Sequence, residues 1–505
     1  MQPAIAHTGE GEARRNERSE PQTQAAKGNP PLESNVDYLV SALAQLAETN
    51  ATNALVVIPV YPGNALEVLR RARKQTSWLI DREGETLMGL GEREGDFLAG
   101  DERCQALSLV EKQALREPSN RFTHPRAHPS LATRLPLLFA GLSFAKGKAT
   151  APWEELREGR WTRPRWTFLS NGQEAVLAWS GDASSARASK AIREELESIT
   201  QGLATPMKPA SALASDTTAD DTRDYEALVQ RGVEGIQQGL LEKVVLARRV
   251  QRNLRATPED VLARLPHAGV TRFFVRRGRT AFFGATPERL FQKRGTALLT
   301  EALAGTRRNG DESDDAELTS SAKDHAEHAF VREAIEAMLT SLGATSIQAT
   351  EPALRRAANL VHLKTTITAE LPEGVSAGTL LEAFHPTPAV GGTPRREALE
   401  FIANHEPSRG WYAGPIGWID AHGDSEFHVA LRSCVVTNGA AWAYAGAGIV
   451  AHSNPHSEAK ETQLKLAPML AALRGALLAD SPRGALLADS PRGALLADSP
   501  RGDGL

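Results

Sequence analysis

Two pairs of apolar runs between residues 271 and 299 reverse direction across very short gaps, and this constrains the fold more than any other feature of the 505-residue chain. Thr271–Val275 and Thr280–Phe283 flank Arg276-Arg277-Gly278-Arg279, and Gln292 to Leu299 turns around Arg294-Gly295. Strands joined by so few residues pair antiparallel, because a parallel crossover needs a dozen residues or more. Further strands are predicted at Lys243–Val250, Gly410–Ile419, Glu426–Val436 and Ala441–Ile449. Helices are predicted over Tyr225–Leu241, Ser321–Leu342 and Pro455–Leu473. Hairpins interspersed with long helices specify α+β architecture rather than a regular βαβ wind.

Composition sets the class. Hydrophobic residues at 41% and charged residues at 24% are ordinary for a soluble globular protein. A net charge of -4 offers no attraction for nucleic acid or an anionic membrane. Cys104 and Cys434 are too few for a disulfide framework and suit a reducing compartment. No window approaches 18 consecutive apolar residues, and the Glu-, Arg- and Gln-rich start has no secretory core. A cytoplasmic enzyme or binding protein is the resulting expectation.

The chain divides by composition. Residues 1–35 read as a disordered leader, polar and poor in aromatics. Tyr38, Leu39, Leu43 and Leu46 open a helix, and Ala54–Tyr61 follows as a strand. Residues 204–221, made of small, turn-forming and acidic residues, read as a flexible surface loop inside one large domain spanning 36–473. The motif-rich part of that domain is 225–473. From 474 to 505 the chain carries three copies of RGALLADSP and then RGDGL. Pro in every copy breaks any continuous helix, so these residues read as a disordered tail.

Two helices carry acids where an apolar stripe belongs. Asp324, Glu327, His328, Val331, Ile335, Met338 and Leu342 lie on one helical face, whose C-terminal half is apolar and faces a core. Its first turns therefore aim carboxylates inward, unless that end protrudes and the acids only complement the helix dipole. Asn454-Pro455 caps the second helix, where Glu458, Glu461, Lys465, Met469 and Leu473 repeat the polar-then-apolar order. Inward acids need cations or hydrogen bonds. Clustered carboxylates without Cys suit a hard cation such as Mg²⁺; His325 and His328 lack the further pattern a zinc site requires.

Other candidates sit on strands and turns. Alternation places Lys243, Val245 and Ala247 on one face of a very apolar strand, where loss of hydration can turn a lysine into a general base; an edge lysine reaching solvent fits the same pattern. Thr286-Pro287-Glu288-Arg289 ends a strand at a point from which a side chain can project into a cleft, and it fits a plain turn equally well. Ala302–Thr306 and Tyr444–Gly448 read as glycine turns offering backbone N–H groups to an anion. Neither is a dinucleotide fingerprint or a P-loop.

Taken in order, KVVLAR at 243–248, FFGATPERL at 282–290, TEALAGT at 300–306, KDHAEH at 323–328, HPTPAVGG at 385–392, RGWYAGPIGW at 409–418, FHVALRS at 427–433, YAGAGIV at 444–450 and SEAKETQLK at 457–465 resemble the chorismate-utilising enzymes. That group includes isochorismate synthases, salicylate synthases and the large components of anthranilate and aminodeoxychorismate synthases. The resemblance implies a single large chorismate-binding domain of two packed, mainly antiparallel sheets with helices outside, working as a monomer or homodimer. It assigns Mg²⁺ to Glu327 and Glu461, with Asp324 and Glu458 in support. It places the carboxylates of chorismate against Arg432, Tyr412, Lys465, Thr306 and the backbone at Gly305 and Gly446.

Fewer residues select the reaction. Water-using members carry Lys where this chain has Lys243, and ammonia-using members typically carry Gln. Ala304 stands where aminodeoxychorismate synthases commonly place a nucleophilic lysine. The resemblance therefore implies an isochorismate synthase of menaquinone or siderophore biosynthesis, with Lys243 as general base and Glu288 as general acid. A salicylate synthase, which adds pyruvate elimination, and a non-catalytic chorismate-binding regulator are the alternatives. Pro468 falls inside the last helix and is expected to kink it beyond Lys465.

Overall fold

The computed structural model describes residues 32–474 apart from 117, 148, 207–221, 255, 309–317 and 358–359. Residues 1–31, the repeats from 475 onward and nearly all of the 204–221 loop lie outside the described residues. The first helix, Leu32–Ala47, begins inside the stretch assigned to the leader, and the last, Pro455–Arg474, reaches the first residue of the tail.

Alternation along the hairpin predicted at 271–283 shows why two layers form. Phe273, Val275 and Phe282 point to one side of their sheet, and Phe274 and Phe283 to the other, because successive strand residues face opposite ways. Both faces are apolar, so both must be covered. The sheet containing this hairpin runs, edge to edge, through Gly392–Thr393, Lys243–Asn253, Ala440–Ile449, Ser433–Thr437, Thr280–Thr286, Thr271–Arg277, Ser77–Arg82, Glu85–Leu90, Trp166–Ser170, Ala175–Gly181, Ala54–Val60 and Asn120–Thr123. Only its last pairing, Ala54–Val60 with Asn120–Thr123, is parallel among the described strands.

A second sheet covers the Phe282 face. Its order is Thr345–Ala349, Leu360–Glu370, Ala297–Arg308, Arg289–Arg294, Ser425–Val429, Pro415–Ile419, Leu138–Leu142, Gly159–Arg163 and Glu94–Phe97, with Ala353–Ala357 also paired to Leu360–Glu370. Leu138, Phe139, Ile416, Trp418 and Phe427 from this sheet join Trp78, Phe273 and Phe282 of the first in one core. The Phe283 face packs instead against helices, through Leu39, Leu43, Ile192, Leu196, Val261, Leu466 and Met469. The expected α+β arrangement of two packed, mainly antiparallel sheets is the observed one. The helix Ala322–Ser341 buries Val331, Ile335 and Leu339 in the inter-sheet core, as its apolar stripe requires.

Three local expectations are corrected. Gly410–Gly414 is not strand: Gly410 and Ala413 have φ of 53° and 60°, outside the extended region, and the strand starts only at Pro415. Glu426–Val436 is two strands, Ser425–Val429 in one sheet and Ser433–Thr437 in the other, divided where Arg432 takes φ 50°. Ala302–Thr306 and Tyr444–Gly448 are not turns but parts of the strands Ala297–Arg308 and Ala440–Ile449, the first carrying a bulge between Ala304 and Thr306. The last helix continues through Pro468 to Arg474.

Candidate functional site

The chain passes from the first sheet to the second at Pro287-Glu288 and returns at Leu431-Arg432. These two crossings lie side by side. The Val429 amide donates to the Glu288 carbonyl at 3.1 Å, the Thr286 hydroxyl to the Val429 carbonyl at 2.6 Å, and the Ala285 amide to the Arg432 carbonyl at 3.4 Å. A cavity of about 210 Å³ opens beside them. Its walls bring together Lys243, Glu288, Tyr412, Arg432, Gly446, Glu458, Glu461 and Lys465, eight of the residues singled out in the sequence.

Each wall has a structural cause. Lys243 is the first residue of its strand and is 9% exposed, opposite Thr393. Past that short pairing the strand edge is closed by side chains: Glu406 accepts from the Ala247 amide at 2.8 Å, and Arg409 donates to the Val245 carbonyl at 2.6 Å. Arg409 also donates to Glu406 at 2.7 and 2.8 Å and to the Val390 carbonyl at 3.0 Å. This buried pair holds the Lys243 strand where no neighbouring strand does.

Gly446 serves close approach rather than a turn. A Cβ there would lie 3.0 Å from the Leu246 carbonyl oxygen and 3.2 Å from the Tyr412 hydroxyl. Its carbonyl accepts from Lys465 Nζ at 2.9 Å, and Lys465 pairs with Glu461, one turn back, at 2.7 Å. Glu458 accepts from the Ser453 hydroxyl at 2.8 Å. The Tyr412 and Tyr444 rings stack at 5.1 Å, forming a flat apolar wall.

Electrostatics set the protonation states. Burial pushes the Glu288 carboxyl up to about 7, and the Glu301 carboxylate adds to this, against the pull of Lys465, Arg432 and Arg355. Burial draws the Arg432 guanidinium down to about 10, opposed by Tyr412, Glu461 and Glu288, which leaves it charged at neutral pH. Burial raises both tyrosine hydroxyls, Tyr444 to about 12, so both remain neutral donors. The cavity thus offers a proton donor, basic side chains and neutral hydroxyls beside the stacked tyrosine rings.

Four predicted residues are placed only in part. Gly305 and Thr306 lie on the strand Ala297–Arg308, and Asp324 and Glu327 on the first turns of the helix Ala322–Ser341, with side chains outside the described residues. Among the described residues no group of three or more His, Cys, Asp or Glu side chains is placed to hold a metal. No helix among them is long and apolar enough to cross a membrane. Sequence reasoning passed over His362, Arg409, Tyr444 and Ser453, which also line the cavity. Arg409 and Tyr444 stand inside motifs already quoted, whereas His362 and Ser453 carry no pattern that marks them.

Comparison with known proteins bears on the family of the chain. A curated relative from Pseudomonas aeruginosa, the salicylate biosynthesis isochorismate synthase, is 44% identical over 277 residues, which is 53% of this chain and 58% of that protein. Isochorismate synthase MenF of Bacillus subtilis is 33% identical over 413 residues, 78% of this chain and 87% of its own. Among solved structures, that of MenF, the menaquinone-specific isochorismate synthase from Escherichia coli, superposes with a TM-score of 0.70 at 26% identity, covering 88% of this chain and 99% of that one. The family description "Chorismate binding enzyme" matches residues 41–474, and this chain belongs to the chorismate-binding enzyme family.

Proposed function

We propose that this chain is an isochorismate synthase, with chorismate bound in the cavity beside the two sheet crossings. The observation that carries the reading is the meeting of Lys243 and Glu288 in one cavity, with burial holding Glu288 as a proton donor near neutral pH. Chorismate carries two carboxylates, and the cavity supplies Arg432 and Lys465 as cations with Tyr412 as a neutral donor. Lys243 takes a proton from a water as its oxygen bonds to C2. The double bonds shift, the C4–O bond breaks, and Glu288 gives its proton to the departing hydroxyl, which leaves as water. Proton exchange with solvent resets both groups.

Mg²⁺ fits the donor set. Glu458 and Glu461 bring carboxylate oxygens to the cavity wall at i,i+3 spacing, and hard oxygen donors are what Mg²⁺ prefers. Asp324 and Glu327 are the further candidates. When bound, the ion neutralises a substrate carboxylate and supplies Lewis acidity beside it. The biosynthetic roles in the relatives' names, salicylate and menaquinone formation, support a place in siderophore or menaquinone biosynthesis.

The test is product analysis by liquid chromatography after incubation of chorismate with the protein and Mg²⁺. Isochorismate as sole product, lost on exhaustive EDTA treatment, is the expected result. Salicylate with equimolar pyruvate would move the protein to the salicylate synthases. Anthranilate formed from ammonia would overturn the role of Lys243, and full activity after EDTA would overturn the metal reading.

A further inference from the structure

Glu301 lies outside the main cavity and is heavily counter-charged. It sits on the strand Ala297–Arg308 opposite Thr366, with its side chain 3% exposed. Three cations from three strands converge on it: Arg289 at 3.3 Å, Arg355 at 2.8 Å and Lys364 at 2.9 Å. Arg289 is itself anchored below, donating through Nε to the buried Glu426 at 3.1 Å. Glu301 and Glu288 line the same small void together with Arg289, and Leu303, Val331, Ile335 and Phe384 are among the apolar residues of its wall.

Glu288 is placed differently. Among the described residues it makes no ion pair, although its flank and the facing elements carry charge. Arg289 follows it in the chain, Arg432 faces it from the second crossing, Lys465 from the last helix, Arg355 from Ala353–Ala357, and Glu301 from its own strand. Tyr412 and His362 share the main cavity with it, and Glu461 lies there paired to Lys465. Two carboxyls beside one void cannot both ionise cheaply, and of the two it is Glu288 that has no cation in ion-pair contact among the described residues.

We propose that Glu301, which does not line the substrate cavity, is the positioning residue that holds Glu288 in its proton-donating form, acting through the buried ion-paired cluster it makes with Arg289, Arg355 and Lys364. This rests on the reading of Glu288 as the general acid. Thermodynamically the sign is fixed: removing the anion and leaving three cations makes Glu288 a stronger acid.

The experiment measures chorismate affinity against pH by tryptophan fluorescence in a Lys243→Ala background, where turnover is slow beside the time of a binding measurement and the lysine's own titration is gone. A dianion binds best while Glu288 is protonated, so affinity falls as pH rises through the Glu288 pKa. Adding Glu288→Gln identifies that break by abolishing it. Glu301→Gln moves the break to lower pH by about one unit or more, and Lys364→Met, which removes a cation and spares the anion, moves it to higher pH. A purely structural role would weaken binding at all pH values and leave the break in place. Loss of the break with Glu288→Gln but an unmoved break in Glu301→Gln overturns the inference alone. A break that survives Glu288→Gln overturns the reading of Glu288 beneath it. Should Glu301→Gln fail to fold, the direction of the Lys364→Met shift decides: upward supports the proposal, no shift or a downward one overturns it.

Discussion

Replacing Arg409 by Met tests the claim that a buried ion pair closes the strand edge at Val245 and Ala247, just past the short pairing of Lys243 with Thr393. In the parent, Arg409 makes four hydrogen bonds, two to Glu406 at 2.7 and 2.8 Å and one each to the Val390 and Val245 carbonyls at 3.0 and 2.6 Å. Both side chains are buried, at 3% and 1% exposure. Methionine preserves the hydrophobic stem but leaves Glu406 with the Ala247 amide and no cation. Removing one partner of such a pair costs about 3–5 kcal/mol, chiefly because the remaining charge stays buried. That is a large part of the roughly 5–15 kcal/mol that typically separates folded from unfolded domains. Urea unfolding followed by tryptophan fluorescence reads the change, since Trp78, Trp153, Trp166, Trp179, Trp411 and Trp418 are fully buried. The partner substitution Glu406→Gln removes the same charge pair from the other side. The double variant is therefore expected to lose less than the sum of the singles by about 0.5–3 kcal/mol. An Arg409→Met protein within about 1 kcal/mol of the parent, or strict additivity, would refute the reasoning.

Further outcomes follow from the site and the chain ends. Lys243→Ala and Glu288→Ala should each lower kcat on the order of 10²–10⁴-fold with chorismate binding still measurable, and a near-normal kcat in either variant contradicts its assigned role. Arg432→Ala or Lys465→Ala should instead weaken chorismate binding, by about 1.5–3 kcal/mol for a lost charged hydrogen bond, read by titration. Ending the chain at Arg474 should leave urea midpoint and turnover unchanged; a less soluble or less stable product would show that the repeats pack on the domain.

Much of this was legible in the sequence, for reasons that differ by residue. The hairpin around Arg276–Arg279 and the acidic first turns of the Glu458 helix are written in period and turn chemistry, which are local properties. Lys243 and Glu288 were marked by strand position and motif. The break at Arg432 was not, because Glu426 to Val436 reads as one extended run and nothing in alternation reveals a residue at φ 50° or a change of sheet. The glycines of 444–448 suggest a turn, yet Gly446 lies in a strand where the Leu246 carbonyl and the Tyr412 hydroxyl leave only tight room for a Cβ. Glu301 stands inside the quoted TEALAGT motif, but nothing there reveals its role, which lies in Arg289, Arg355 and Lys364, brought to it only by the sheet register.

The paired crossings at Pro287-Glu288 and Leu431-Arg432 act as a seam between two stiff plates. Two main-chain hydrogen bonds and the Thr286 hydroxyl stitch the seam, so the backbone positions from which the acid and the guanidinium project are fixed relative to each other. Residues deep in either plate can drift in sequence as long as their volume is kept. The seam has no such freedom, because a slipped residue at either crossing would turn Glu288 or Arg432 away from the cavity. New chemistry on this frame is therefore most readily reached by exchanging side chains along the seam and cavity wall, with the plates left as they are.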